Sequence, residues 1–310
     1  MELPGGPIND TDRAAMHADP PAETLRWLAA ETGAARIVGL EVLQGGSTSA
    51  MHRVDIERLD GSAATIVLRR YVLAHVHDAP ELFDRENAAL ELLAGSSLPV
   101  PDLLAADRAA ERCDAPALVM SFLAGSPRWE LGRRDRFAQS LAETIASIHD
   151  TRVALDDTTT TIAPIRPYGQ ESWEPPRWTG DPAMWEQAIA IHCGPVPTTD
   201  VGFVHRDFHP GNLLWRRGRL TGVIDWQAAG VGPASIDPGH CRLNFLYYAP
   251  SLADRLRVAW EDTTGLTYDP WADVVCIIGA LDSLRDHPPS SAARAAIEST
   301  LTRAVSDLTL

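Results

Sequence analysis

The sequence predicts an α+β protein in two parts, a small antiparallel β-rich lobe followed by a larger helical lobe. Three observations carry this reading. The β-type segments "RIVGLEVL", "AMHRVDIE" and "ATIVLRRYVL" follow one another with only the turn signals "QGGSTS" and "RLDGSA" between them, the pattern of an antiparallel meander. Beyond Gly125 the apolar residues move to helical spacing. A chain of 310 residues, 45% apolar and 22% charged, is long enough to build a substantial core in two lobes. The division falls at a hinge near 120–125, giving an N-terminal lobe of residues 1–124 and a C-terminal lobe of residues 125–310.

The first dozen residues are rich in Pro, Gly and Asp and are expected to be loosely ordered. "PAETLRWLAAETG" reads as a helix capped by Thr24, with Leu25 and Leu28 on one face and Gly33 ending it. After the three strands, "APELFDRENAALELLAGS" is a second helix whose inner face carries Phe83, Glu86, Leu90 and Leu93. "LPVPD" breaks it, and "APALVMSFLAG" is a buried strand running into a glycine-ended connection. "RDRFAQSLAETIASIHD" then places Phe137, Leu141, Ile145 and Ile148 on one stripe. Thr158–Trp178 reads as an exposed excursion, rich in Thr, Pro and Trp. A short strand "LTGVIDW" and further helices complete the chain, with stripes Val274, Ile277, Ile278, Leu281, Leu284 and Ala293, Ile297, Leu301, Val305, Leu308.

Composition excludes several function classes. A net charge of −15 argues against a sequence-independent grip on nucleic-acid phosphates and favours a cationic small molecule over an anionic one. Apolar runs such as "VVCIIGAL" are too short to span a bilayer, so no membrane partner is expected. The start "MELPGGPINDTDR" lacks a basic segment followed by an apolar run, so no signal peptide is expected. Cys113, Cys193, Cys241 and Cys276 are widely spaced and read as reduced thiols in a cytoplasmic protein.

One stretch concentrates chemistry. "FVHRDFHPGNLLW" sets two histidines, an arginine, an aspartate and an asparagine between apolar ends. Asp207 and Asn212 lie five residues apart on a Pro-Gly loop and are able to converge on one point. A carboxylate can take up or orient a hydroxyl proton, and an amide oxygen can ligate a hard cation such as Mg²⁺ without adding charge. Thirteen positions after Asn212, Asp225 ends the apolar strand Val223-Ile224 and supplies the anionic ligand that the asparagine lacks. Such a set suits metal-assisted phosphoryl transfer.

"HRDFHPGN" followed by "VIDW" fits the kinase catalytic-loop pattern H-R-D-x-x-x-x-N. Asp225 is followed by Trp226-Gln227 rather than Phe-Gly, and no Ala-Pro-Glu follows, which points away from protein kinases. With "GPASIDPGH" behind it, the region resembles the aminoglycoside phosphotransferase family of small-molecule kinases, strongly at 203–239 and more weakly from about residue 40 to the C-terminus. The resemblance implies a bilobal protein-kinase-like fold. It implies that Asp207 is the catalytic aspartate and that Asn212 and Asp225 hold Mg²⁺. His205 would be a structural member of the loop, and Asp237 would brace it from below. For His209 a structural role is the favoured reading.

The N-terminal lobe should supply the nucleotide clamp. Gly45, Gly46, Ser47 and Thr48, in "LQGGSTSAMHRV", are small residues whose backbone N–H groups can approach phosphates. The family places a phosphate-pairing lysine on the third strand; the matching position here is Arg69, with Arg70 on the other face, and this departure weighs on the nucleotide site. Glu86 lies on an apolar stripe, and an inward carboxylate needs a cationic partner, for which Arg69 is the natural choice. Backbone groups near Ser121 and Leu123 would meet the adenine edge of ATP, with GTP left open.

Specificity is expected from residues 155–200 and the C-terminal helices. Glu171, Trp173, Trp178 and Asp181 offer carboxylates and aromatic faces for a hydroxylated, polyamine-like or sugar ligand, with plain packing of the tryptophans as the equal alternative. The leading expectation is an ATP-dependent O-phosphotransferase acting on an aminoglycoside or other antibiotic. Two alternatives stand beside it: a metabolic kinase of a sugar, amino alcohol or other metabolite, and a nucleotide-binding pseudoenzyme that regulates a partner. The oligomeric state is left open.

Overall fold

The structure, a computed structural model, describes residues 10–43, 49–73, 79–129, 132–153, 162, 164–167, 169 and 173–309. Gly45, Gly46, Ser47, Thr48 and Glu171 lie outside the described residues. The chain divides into two compact units, Pro7–Ser126 with Leu214–Ala228, and Pro127–Leu213 with Ala229–Leu310. The segment carrying Asp225 thus groups with the N-terminal strands, whereas a linear reading assigns it to the C-terminal lobe.

The first unit begins with α1 (Asp10–His17) and α2 (Ala22–Thr32), the latter ending at Gly33 in the left-handed region, φ 65°. Thr24 does not cap this helix; Pro21 holds that position, and the Thr24 hydroxyl instead donates to Asp114 at 2.7 Å. Strands β1 (Ala34–Val42), β2 (Ala50–Arg58) and β3 (Ala63–Arg70) form the expected antiparallel meander. Helix α3 (Ala79–Leu93) follows, then β4 (Leu103–Asp107) and β5 (Ala117–Ser121), closing a five-stranded sheet in the order β1-β2-β3-β5-β4. One face of this sheet and α2 share a core of Trp27, Leu28, Val54, Ile56, Leu68 and Val119. Side chains alternate across β3, so Arg69 and Arg70 leave on opposite faces. Arg70 donates to Asp114 at 2.6 Å and to the Ala18 carbonyl at 2.6 Å.

After the two-residue β6 (Ser126–Pro127) come α4 (Arg134–His149), α5 (Pro182–His192) and β7 (Val201–Val204). The hairpin β8 (Leu213–Arg216) and β9 (Arg219–Val223) is followed by a 3-10 turn at Trp226–Ala228, which packs against α3 in the first unit. In the second unit, β10 (Gly230–Pro233) pairs antiparallel with β7, matching Val204 with Gly230 and Phe203 with Val231. Helices α6 (Ile236–Tyr248), α7 (Pro250–Thr264), α8 (Trp271–Gly279), α9 (Leu281–Asp286) and α10 (Ser291–Thr309) complete it.

The stripe from Val274 to Leu284 is buried as expected but is shared between α8 and α9, and Leu308 at the end of the α10 stripe is 38% exposed. The excursion is not wholly exposed: Ile162 and Ile165 are buried, and Pro164 bridges to Val231. All four cysteines are free thiols, and burial pushes the Cys113 thiol up to about 12. Among the described residues no helix is long and apolar enough to cross a membrane.

Candidate active site

The loop His205–Asn212 lies in the second unit, between β7 and β8. Phe203, Val204 and Leu213 at its flanks and Phe208 within it are fully buried, which pins the polar groups in place. Arg206 sits in the left-handed region at φ 67°, a conformation that costs a non-glycine residue of order 1–3 kcal/mol and persists only where neighbours enforce it. The enforcement is visible. Asp237, at the start of α6 and fully buried, accepts from the backbone N–H groups of His205 at 3.1 Å and Arg206 at 2.6 Å. The same carboxylate lies 2.9 Å from His149 Nε2, which ties α4 to the loop. The Arg206 guanidinium donates to the Arg166 carbonyl.

Within that frame Asp207 is held at both oxygens. The Asn212 amide donates to Asp207 Oδ2 at 3.0 Å and to its backbone carbonyl at 2.9 Å. His240 Nε2 lies 3.0 Å from Oδ1, and His209 Nε2 lies 3.8 Å from the same oxygen. The carboxylate remains about a third exposed, at 32%, so it can still meet a substrate. Burial acts to raise its pKa; the His240 hydrogen bond and the charges of His209, His240 and His205 outweigh this and hold the carboxyl well below the usual range. His205 is buried and accepts from the Asp207 N–H at 3.3 Å, a bond within the loop.

His209 is also tied locally: its Nδ1 accepts from the Gly211 N–H at 3.0 Å, and Trp129 stacks on its ring at 5.8 Å. A Cβ at Gly211 would stand 2.5 Å from His209 Cε1 and 3.3 Å from Trp129 Cζ2. Gly211→Ala is therefore expected to displace the imidazole and lower stability by about 1–3 kcal/mol, read as a lower midpoint of denaturant unfolding at unchanged slope.

A second cluster lies in the first unit. Arg69 Nη1 donates to both Glu86 oxygens at 2.7 Å, with each side chain 2% exposed. Arg69 Nη2 reaches Asp225 Oδ1 at 2.9 Å, and Arg69 Nε donates to Ser49 Oγ at 2.8 Å. The Tyr71 hydroxyl donates to Glu86 Oε2 at 2.6 Å. Burial drives the Glu86 pKa up against the opposing attraction of Arg69. Asp225, 33% exposed and at φ 69°, also accepts from Gln227 Nε2 at 2.6 Å.

Each unit holds a side-chain oxygen of the kind a hard divalent cation takes. Arg69 and Gln227 take up Asp225 Oδ1 but not Oδ2, and Asn212 uses its amide nitrogen toward Asp207 while its side-chain oxygen takes no part in those bonds. Among the described residues no cluster of three or more His, Cys, Asp or Glu is arranged to hold a metal by itself.

The remaining candidates have other partners. Ser121 donates its N–H to the Asp102 carbonyl and accepts from the Asp102 N–H at its hydroxyl; Leu123 lies in the connection beyond β5. Asp181 caps α5, accepting from the Met184 N–H at 3.1 Å. Trp178 donates to the Leu284 carbonyl, meets Trp185 edge-on and lies under Arg294, so it packs α5, α9 and α10 together. Trp173 is 39% exposed beside His192. Sequence reasoning passed over His240, Gln227 and His149. His240 carried a signal: it lies three residues after Asp237, one helical turn along the same face.

The sequence profile of the phosphotransferase enzyme family, APH, matches residues 39–274. The chain belongs to this family. It is an enzyme of the small-molecule kinase type, with a hydroxyl as acceptor. The chain has no significant match among curated proteins. Solved structures share its protein-kinase-like fold at low identity. The macrolide 2'-phosphotransferase MphH from Brachybacterium faecium is 21% identical, with 89% of this chain and 97% of that one covered at a TM-score of 0.57. Aminoglycoside phosphotransferase APH(4)-Ia, as a thermostable mutant with ADP and hygromycin B, is 16% identical over 90% and 97% of the two chains, TM-score 0.56. The streptomycin–ATP complex of APH(2")-IIa is 15% identical over 86% and 90%, TM-score 0.58.

Proposed function

We propose that this phosphotransferase moves the γ-phosphate of ATP to a hydroxyl of a small molecule, with an aminoglycoside or other antibiotic as the leading acceptor class. The reading rests above all on Asp207, a part-exposed carboxylate held at both oxygens by Asn212 and His240 and kept ionised. The acceptor oxygen attacks the γ-phosphorus, the bond to the β–γ bridging oxygen breaks, ADP leaves, and Asp207 orients the hydroxyl and takes its proton. Most of the rate gain is expected from positioning and charge neutralisation.

Asn212 and Asp225 are the proposed ligands of Mg²⁺, which when bound neutralises phosphate charge. Gly45, Gly46, Ser47, Thr48, Arg69 and Glu86, with backbone near Ser121 and Leu123, make up the proposed nucleotide set. ATP as donor is supported by the ADP and ATP complexes of the similar structures. Cytoplasmic location remains part of the reading.

A metabolite acceptor is the second reading, favoured because Asp181, a carboxylate among the candidate substrate-binding residues, is engaged in capping α5. Incubation with ATP, Mg²⁺ and a panel of aminoglycosides, macrolides and neutral or anionic alcohols, followed by mass spectrometry for phosphate adducts, separates the two. Adducts confined to metabolites would remove the antibiotic reading; no adduct and no ADP release across a broad panel would count against both.

His240→Ala is expected to lower kcat by about 10- to 100-fold, the worth of a hydrogen bond to a charged group, with little change in the KM for ATP. Glutamine, whose amide can replace the imidazole donor, should restore part of the loss. Equal activity in wild type and the alanine variant would remove His240 from the account.

A further inference from the structure

The proposed nucleotide set gives Arg69 the task of gripping phosphate, yet its hydrogen bonds are largely spent elsewhere. A guanidinium has five N–H donors. All three of its nitrogens are engaged: Nε with Ser49, Nη1 with both Glu86 oxygens, and Nη2 with Asp225. The group is 2% exposed, and the Tyr71 ring lies 5.7 Å from its carbon centre. Glu86 is equally buried and is itself fixed by the Tyr71 hydroxyl. This is a rigid platform that ends on one oxygen of Asp225.

The second restraint on that oxygen comes from Gln227, whose amide donates to Oδ1 at 2.6 Å. Gln227 is buried in the 3-10 turn Trp226–Ala228, and that turn packs against α3, the helix that carries Glu86. Both donors therefore act on Oδ1 and neither on Oδ2, at a residue whose backbone is held at φ 69°.

We propose that Arg69 and Gln227 are positioning residues that clamp Oδ1 of Asp225, so that Oδ2 is presented as a one-oxygen ligand to the divalent cation. Arg69 serves the cation site through Asp225 rather than serving chiefly as a phosphate grip. The proposal rests on the reading of Asp225 as a cation ligand and adds the reason an arginine stands at this place: only a forked, planar cation can reach Ser49, Glu86 and Asp225 together. A lysine ammonium is a single point of charge and cannot span all three.

The test is calorimetric titration of ADP and a non-hydrolysable ATP analogue into wild type, Arg69→Lys and Gln227→Leu, each with Mg²⁺ varied and with Mg²⁺ chelated. Loss of groups that orient a metal ligand costs about 10- to 100-fold in metal affinity. Both variants are expected to need that much more Mg²⁺ for half-maximal nucleotide binding, while chelated binding changes less than about threefold, well under one hydrogen bond to charge. Circular dichroism confirms folding; Gln227→Leu, outside the buried ion pair, keeps the test open if Arg69→Lys does not fold. Mg²⁺ dependence unchanged in the folded variants would overturn the proposal, as would equal weakening with and without Mg²⁺, the signature of a direct phosphate grip. Wild type showing no Mg²⁺-dependent nucleotide binding would instead overturn the cation reading of Asp225, and the clamp with it.

Discussion

Asp207→Ala is expected to lower phosphoryl transfer by about 10²- to 10⁴-fold, the range for loss of a positioned general base. Nucleotide binding should persist, because the Arg69–Glu86–Asp225 cluster lies in the other unit and shares none of the hydrogen bonds described for Asp207. Asp207→Asn is the sharper variant. It keeps the size of the side chain but loses the charge and presents an amide where His240 and Asn212 both offer donors. Turnover should therefore fall about as far as in the alanine variant, with an unfolding midpoint close to wild type. Retained turnover in either variant would end the assignment of Asp207 as the base. The pH profile gives an independent check. Because the Asp207 pKa is held below the usual carboxylate range, the acid limb of kcat/KM assigned to this base should lie lower than for an ordinary aspartate. An acid limb near neutrality would point to a histidine instead.

Asp237→Ala should produce the largest loss of stability among the loop substitutions, about 3–5 kcal/mol, because it breaks a buried charge-assisted network. The side chain is fully buried and bonds two consecutive backbone N–H groups and His149; its removal orphans both N–H groups and releases Arg206 from its left-handed conformation. Chemical denaturation of wild type and variant measures it, and a difference under about 1 kcal/mol, an ordinary single hydrogen bond, would rule out the bracing role. The effect has a defined pH dependence. Burial acts to raise the Asp237 pKa, but the His149 hydrogen bond, the His149 and His205 charges and the backbone donor together leave it lowered. A carboxyl with a depressed folded pKa gives its full stabilisation above its unfolded pKa and loses it as pH falls through the folded value. The wild-type advantage over Asp237→Ala should thus be constant near neutrality and shrink on acidification below the ordinary carboxylate range.

Much of this was legible before any coordinates. The β-type segments "AMHRVDIE" and "ATIVLRR", set between turn signals, placed the meander strands, and a strand that turns every second side chain the same way puts Arg69 and Arg70 on opposite faces. The helical spacing of Phe83, Glu86, Leu90 and Leu93 turned Glu86 inward, and the cost of an unpaired buried charge made Arg69 its partner. The loop pattern from His205 to Asn212 brought Asp207 and Asn212 together, since five residues around a Pro-Gly turn leave them little freedom.

Other features were decided only by long-range packing. Residues 214–228 group with the N-terminal strands, which brings Asp225 to Arg69 across 156 positions of sequence. The contact of His240 with Asp207 depends on where α6 docks against the loop, and Thr24 reaches Asp114 instead of capping its own helix. Trp178 and Asp181 looked available for a ligand, yet packing and capping account for them, while Ile162 and Ile165 were drawn into the core. The physical reason is common to all of these. Local periodicity reports which face of an element is removed from water, a property of neighbours a few residues apart. Which polar group that face meets is settled by the docking of distant elements, and no nearby residue encodes it.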